Sequence, residues 1–75
     1  MQGEMAVMDK TGDTKIIWDA ENDDEVKVAR DTFDKLKTKN YIAYSVKRNG
    51  KQDTIINKFD PGIEKMIMIP PIVGG

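Results

Sequence analysis

The chain contains neither cysteine nor histidine among its 75 residues. Without cysteine it has no disulfide, no thiolate nucleophile and no cysteine-based metal site. The absence of histidine removes the usual general base and the commonest metal ligand. The carboxylates, lysines and tyrosines that remain form no recognisable catalytic motif. We therefore expect a protein that is not itself an enzyme and that binds no cofactor.

A long apolar run and an excess of one charge are also lacking. Twelve basic and thirteen acidic residues give a net charge of -1, so no basic surface for nucleic acid is expected. The longest apolar stretch, residues 66–73, is too short to cross a bilayer. The first residues, Met-Gln-Gly-Glu, do not resemble a signal peptide. We expect one domain over residues 1–75, located in the cytoplasm and bound to neither nucleic acid nor membrane.

The first forty residues contain two segments with strand-like composition followed by one with the apolar spacing of a helix. Residues 4–8 are mostly apolar and residues 14–18 are rich in β-formers, with Gly and Asp between them, which predicts an N-terminal hairpin. The alternative is that residues 1–12 are poorly ordered. A helix over about residues 23–39 follows from the spacing of its apolar residues, which are Val26, Ala29, Phe33 and Leu36.

Both ends of this helix carry recognisable signals. Asn22 is a suitable N-cap, and Glu25 is placed to reach back to it in a capping box. Asn40 is a plausible left-handed stop. Acidic side chains surround the start of the helix, and we interpret them as a solvated helix end rather than a metal site; they are Asp19, Glu21, Asp23, Asp24 and Glu25. The basic side chains near the other end are interpreted as solvated too; they are Lys35, Lys37 and Lys39. Trp18 is interpreted as a packing residue rather than as a binding platform.

The second half of the chain predicts three strands. Residues 41–48 place Ile42, Tyr44 and Val46 on one face, and Asn49-Gly50 predicts a type I′ turn into a partner strand over residues 51–59. A turn follows at Asp60-Pro61-Gly62, where Gly62 is expected to take the reversed dihedrals. Apolar residues of both parities over residues 66–69 predict that both faces of this strand are covered, or that one face meets a partner; a central strand would explain the pattern.

The last six residues, 70–75, are expected to form an extended tail. Pro70 and Pro71 cannot donate ladder hydrogen bonds, so regular pairing should stop there. The order of elements is ββαβββ, which predicts a two-layer α+β domain with one helix packed across one face of a mixed sheet. This order resembles the ubiquitin-like β-grasp fold. The ending Ile69-Pro70-Pro71-Ile72-Val73-Gly74-Gly75 resembles the tail of the molybdopterin synthase small subunit and related sulfur carriers, and of prokaryotic ubiquitin-like modifiers.

The resemblance implies a role for each residue of the tail. Gly75 would supply the carboxylate that an adenylating enzyme of the ubiquitin-activating type activates, the partner using ATP. Gly74 would give access to a narrow channel because it has no Cβ. Pro70, Pro71, Ile72 and Val73 would form a stiff docking stem.

Three functions fit this resemblance. The first is a sulfur carrier, in which Gly75 becomes a thiocarboxylate and passes sulfur to an acceptor enzyme. The second is a protein modifier joined through Gly75 to lysines of target proteins. The third is a non-covalent adaptor with a ubiquitin-like fold, for which Gly74 and Gly75 would be dispensable.

Overall fold

The computed structural model describes residues 1–9, 12–46 and 52–72, with the backbone alone for residues 52 and 53. Within these residues the chain forms one helix and a five-stranded mixed sheet. The elements are β1 (Gln2–Asp9), β2 (Gly12–Asp19), α1 (Asp23–Thr38), β3 (Ile42–Val46), β4 (Gln52–Ile56) and β5 (Lys65–Ile69). This confirms the α+β class and the order ββαβββ, and it is compatible with a β-grasp-like fold. The turn predicted at Asn49-Gly50 lies outside the described residues.

The last strand lies in the middle of the sheet. The strand order is β2-β1-β5-β3-β4, with β5 parallel to β1 and antiparallel to β3. The predicted N-terminal hairpin is present as the antiparallel pair of β1 and β2. Since β5 has a partner on each side, the prediction of a central strand is confirmed. Cover on both faces is not found within the described residues: Met66 and Met68 are buried under α1, whereas Ile67 and Ile69 are only half-buried on the opposite face.

The two faces of the sheet have different roles. On the face covered by α1, one row of buried side chains crosses four strands in register; it consists of Val7, Met68, Ala43 and Ile56. From the helix, Val26, Ala29 and Phe33 complete the core, and Leu36 packs at its margin. The helical face predicted from the spacing is therefore the buried one. In β3 it is Ala43, and not the set of Ile42, Tyr44 and Val46, that faces the helix.

Trp18 joins the hairpin to the segment before β5. Its side chain is fully buried and lies over Gly3, its partner in the register of β1 and β2. Its indole N–H donates a hydrogen bond of 3.1 Å to the carbonyl oxygen of Pro61. Phe59 packs edge-on against Trp18 at 5.1 Å and against Phe33 at 5.8 Å between ring centroids. The interpretation of Trp18 as a packing residue agrees with this geometry.

The helix ends agree with the sequence signals in all but two details. The side-chain oxygen of Asn22 accepts hydrogen bonds from the backbone N–H groups of Asp24 and Glu25, as an N-cap should. The carboxylate of Glu25, however, accepts from the N–H of Asp19 at 2.8 Å and not from Asn22. The capping box is therefore replaced by a bond to the end of β2, because the N–H of Asn22 already donates to the carbonyl oxygen of Asp19.

At the other end, Lys39 is the C-cap and Thr38 is the last helical residue. Asn40 has a φ of 68°, which confirms the left-handed stop. The N–H of Asn40 donates to the carbonyl oxygen of Lys37, and that of Tyr41 donates to Leu36. These two bonds are the Schellman pattern.

The turn at Asp60-Pro61-Gly62 is present, but one prediction about it is wrong. The Asp60 carboxylate accepts a hydrogen bond from the N–H of Gly62 at 2.8 Å, which forms the turn through its side chain. Gly62 does not have a positive φ; among the described glycines only Gly12 does, at 126°. Since the Asp60 side chain satisfies the turn, reversed dihedrals at Gly62 are not required.

Replacing Gly3 by Ala should destabilise the protein by about 1–3 kcal/mol, the usual cost of overpacking a core. A Cβ at this position would lie 2.3 Å from two carbon atoms of the Trp18 ring. The measurement is urea unfolding followed by fluorescence of Trp18, the single tryptophan. Gly62→Ala is the matched control, since its Cβ meets only the Asp60 carboxylate at 3.2 Å. Equal stability of the Gly3→Ala variant and the control would contradict the packing described.

Replacing Asn22 by Ala should cost about 1 kcal/mol, because two N–H groups of the first turn lose their acceptor. For a domain of this size that corresponds to a melting temperature lower by roughly 4–8 °C. Thermal unfolding followed by circular dichroism measures it. Asn22→Asp keeps an acceptor oxygen and should remain close to the parent protein. A similar loss in both variants would show that the cap is not the cause.

Candidate functional site

The candidate site is the segment that follows β5, and the sheet determines where it begins. The start of β5 is held by a hydrogen bond of 2.9 Å from the N–H of Glu4 to the carbonyl oxygen of Glu64. Lys65 then pairs in register with Glu4, and their side chains approach to 3.6 Å. The last paired residue is Ile69, opposite Ile42 of β3. The tail therefore leaves from the centre of the sheet and not from an edge.

The exposure of the chain rises step by step after β5. Met68 is fully buried, Ile69 and Pro70 are half-buried, Pro71 is exposed, and Ile72 has 97% of its surface exposed. Pairing stops at Ile69, which confirms the prediction made from the two prolines. An isoleucine with almost its whole side chain in solvent contributes nothing to the core. The structure thus places Pro70, Pro71 and Ile72 together at the exit from the sheet, whereas Val73, Gly74 and Gly75 lie outside the described residues.

Next to this exit, the face of the sheet opposite α1 carries a second apolar row. Ala6, Ile67, Tyr44 and Ile55 lie in register across four strands. Ile55 is 55% exposed, and Ile42, beside the exit, is 41% exposed. This open face was not singled out from the sequence. The available signal was the alternation in β3, where the large side chains lie on the face away from the helix.

The acidic residues around the start of α1 interact with the neighbouring backbone. Within the described residues, no group of three or more Asp and Glu side chains is placed to hold an ion. Their carboxylates serve the backbone instead: Asp19 accepts from the N–H of Glu21, and Glu25 accepts from the N–H of Asp19. The lysines near the helix end include Lys35 and Lys39, which are exposed, and Lys37, which is half-buried.

Neither a buried polar side chain nor a membrane-crossing helix is found in the part of the chain that the structure describes. The features available for recognition there are consequently surface features: the exit of the tail, the open face of the sheet, and shallow grooves beside α1.

Comparison with known proteins gives no relative. No protein-family model, no curated protein and no solved structure matches the chain. The candidate site is therefore described by its own geometry.

The boundary between core strand and tail can be measured with two substitutions. Met68→Ala should destabilise the protein by about 2–5 kcal/mol, because it removes a fully buried side chain from the central strand. Ile72→Ser should change stability by less than about 0.5 kcal/mol, since its side chain is in solvent. Urea unfolding of both variants provides the test. A loss of stability in Ile72→Ser comparable with that in Met68→Ala would mean that the tail packs on the domain.

Proposed function

We propose that the protein is a carrier of the ubiquitin-like type that acts through its C-terminal Gly74-Gly75, and that its function is sulfur transfer. The observation that carries this proposal is the course of the tail. Two prolines directly follow the central strand, and the next residue, Ile72, is exposed almost completely. A partner could bind such a stem, which follows the last strand and is exposed, without unfolding the sheet.

The stiffness of the stem supports the same proposal. Each proline fixes its own φ, so Pro70 and Pro71 reduce the number of conformations the tail loses on insertion into a partner. The stem is anchored at Ile69, which is paired with Ile42. The partner would therefore meet the tail in a defined direction, and the open face with Ile67 and Tyr44 would be available to it at the same time.

The proposed chemistry takes place on the carboxylate of Gly75 in a polypeptide that ends there. A carboxylate oxygen attacks the α-phosphorus of ATP in the active site of an adenylating partner, and pyrophosphate leaves. Hydrosulfide then attacks the acyl carbon, AMP leaves, one proton is released, and a thiocarboxylate remains. The carrier supplies the carboxylate, and Gly74, lacking a Cβ, lets the backbone enter a narrow channel. An acceptor enzyme would take the sulfur in a later step.

Protein modification is the second candidate, and it shares the chemistry up to the acyl-adenylate. An amine of a target lysine would then replace sulfur as the final nucleophile. The same features of the tail support it, because both functions require an accessible terminus on a stiff stem. The two candidates are separated by their products.

The test is the intact mass of the protein after incubation with ATP, sulfide and an extract of its native cells. We expect an oxygen-to-sulfur mass increase located at Gly75 and absent from a chain that lacks Gly74 and Gly75. Conjugates of higher mass that also require these glycines would favour the modifier instead. A known sulfur carrier added to the same extract serves as the positive control. An unmodified terminus beside a modified control would contradict both covalent functions and favour a non-covalent adaptor.

The contribution of the stem is tested by replacing Pro70 and Pro71 together with Ala. The initial rate of modification at limiting protein concentration should fall, because a more flexible tail loses more entropy on insertion. The effect should be largest at low concentration and small at saturation. Asp31→Ala, a substitution on the exposed surface of α1, serves as the matched control.

A further inference from the structure

Strand β2 forms an edge of the sheet, and the direction of its free backbone groups follows from the ladder. The N–H of Ala20 donates to the carbonyl oxygen of Met1, which continues the register of β1 and β2 by one residue. Even-numbered residues of β2 therefore direct their N–H and C=O toward β1. Odd-numbered residues direct theirs outward, since backbone groups alternate along an antiparallel strand.

The outward groups of Asp19 have partners within the chain, but those of Ile17 and Lys15 have no partner strand. The N–H of Asp19 donates to the Glu25 carboxylate, and its carbonyl oxygen accepts from Asn22. These two bonds independently confirm the outward direction of the odd residues. Ile17 and Lys15 both have exposed side chains, and no other described strand pairs with β2. They present two donors and two acceptors to an incoming strand.

A groove lies between this edge and α1. It is lined by Ile16, Val28, Asp24 and Glu25 and by the strand edge at Ile17. Ile16 is in register with Met5 and faces α1, whereas Ile17 is in register with Glu4, so its side chain lies on the open face of the sheet. Val28 is 62% exposed, so its apolar surface is available for contact in the groove. Asp24 and Val28 are four residues apart and share one side of the helix. The groove volume of about 230 Å³ is smaller than a typical small-molecule site, so it suits single side chains.

We propose that this edge and groove bind an extended basic peptide segment, which adds to β2 as a sixth strand. Its backbone pairs with Ile17 and Lys15. Its lysine or arginine side chains lay their aliphatic stems over Ile16 and Val28, and their cationic ends reach Asp24 and Glu25. The chemistry of the groove matches such a side chain, which is apolar along its length and positive at its tip.

Charge complementarity selects this occupant over a second copy of the chain. The rim of the groove is acidic beyond its two lining carboxylates, because Asp19, Glu21 and Asp23 are all exposed beside it. A second copy would offer its own β2, whose charged side chains are Asp13, Lys15 and Asp19, so that strand carries a net negative charge and complements the acidic rim less well than a basic segment. A basic segment gains from the same charges. This inference concerns a surface other than the tail and does not rest on the proposed function.

The test is an NMR titration of the ¹⁵N-labelled full chain with the peptide acetyl-Val-Lys-Val-Lys-Val-amide. Amide shifts should be confined to β2 and the first two turns of α1. Hydrogen exchange of the Ile17 and Lys15 amides should slow when the peptide is added, because these N–H groups gain acceptors. That readout is specific for strand addition, since a purely electrostatic contact would leave the exchange of these amides unchanged.

Matched peptides separate the contribution of the lysine charges from that of the backbone hydrogen bonds. A peptide with norleucine in place of lysine keeps the stem and loses the charge, and it should bind more weakly. Methylation of every backbone nitrogen removes the donors and blocks close approach of a strand, so binding should be lost. On the protein, Asp24→Asn should weaken binding about two- to fivefold, as for a surface ion pair. Lys37→Gln, remote from the groove along α1, should leave the affinity unchanged.

The spectrum of the Asp24→Asn variant without peptide is recorded first. Amide shift dispersion equal to that of the parent protein shows that the variant is folded. The proposal is overturned if the glutamate peptide acetyl-Val-Glu-Val-Glu-Val-amide binds equally well, or if the shifts fall on another surface. No shift at millimolar peptide would also overturn it. Shifts of β2 amides that depend on protein concentration without any peptide would show that a second copy occupies the edge instead.

Discussion

The burial of one indole ring determines how the two halves of this small sheet meet. Trp18 lies over Gly3 and donates to the carbonyl oxygen of Pro61, so it contacts the hairpin and the turn before β5 at once. A parallel strand pair has no tight turn to set its register. In this protein the register of β1 and β5 is instead set by contacts at the start of β5. The bond from Glu4 to Glu64 lies next to this contact and fixes the first paired residue.

The position of the tail is a consequence of this arrangement. Once Glu4 and Lys65 are in register, the five residues of β5 end at Ile69, and the prolines stop the ladder there. Because β5 lies between β1 and β3, the stem begins on a strand with hydrogen-bond partners on both sides. A tail that followed an edge strand would be attached to a strand with hydrogen-bond partners on one side only. If a partner binds the residues after Ile69, as proposed, the strand that bears them keeps its pairing with β1 and β3, and Met68 stays packed in the core.

The sequence was sufficient for the elements but not for the contacts between them. The spacing of Val26, Ala29 and Phe33 predicts the buried helical face, and the mixed parity of residues 66–69 predicts a central strand, because both patterns report burial directly. The partner of Glu25 could not be predicted, since three residues link β2 to the helix and the conformation of that link decides which N–H is within reach. The same holds for Trp18, whose acceptor is 43 residues away in sequence.

The two proposed recognition surfaces lie toward opposite ends of the sheet, and this follows from strand direction. Strand β5 runs parallel to β1, so Ile69 lies toward the end of β1 where the hairpin turns, whereas Trp18 and the start of α1 lie at the other end. The part of the groove formed by Ile16 and Val28 is on the side of the sheet that α1 covers, whereas Ile67 and Tyr44 are on the open side. A partner gripping the tail and the open face would leave the edge of β2 uncovered. If both proposals hold, a peptide on the edge of β2 and a partner on the tail would be kept apart mainly by the length of the strands, because Ile17 lies toward the start of β1 and Ile69 toward its end.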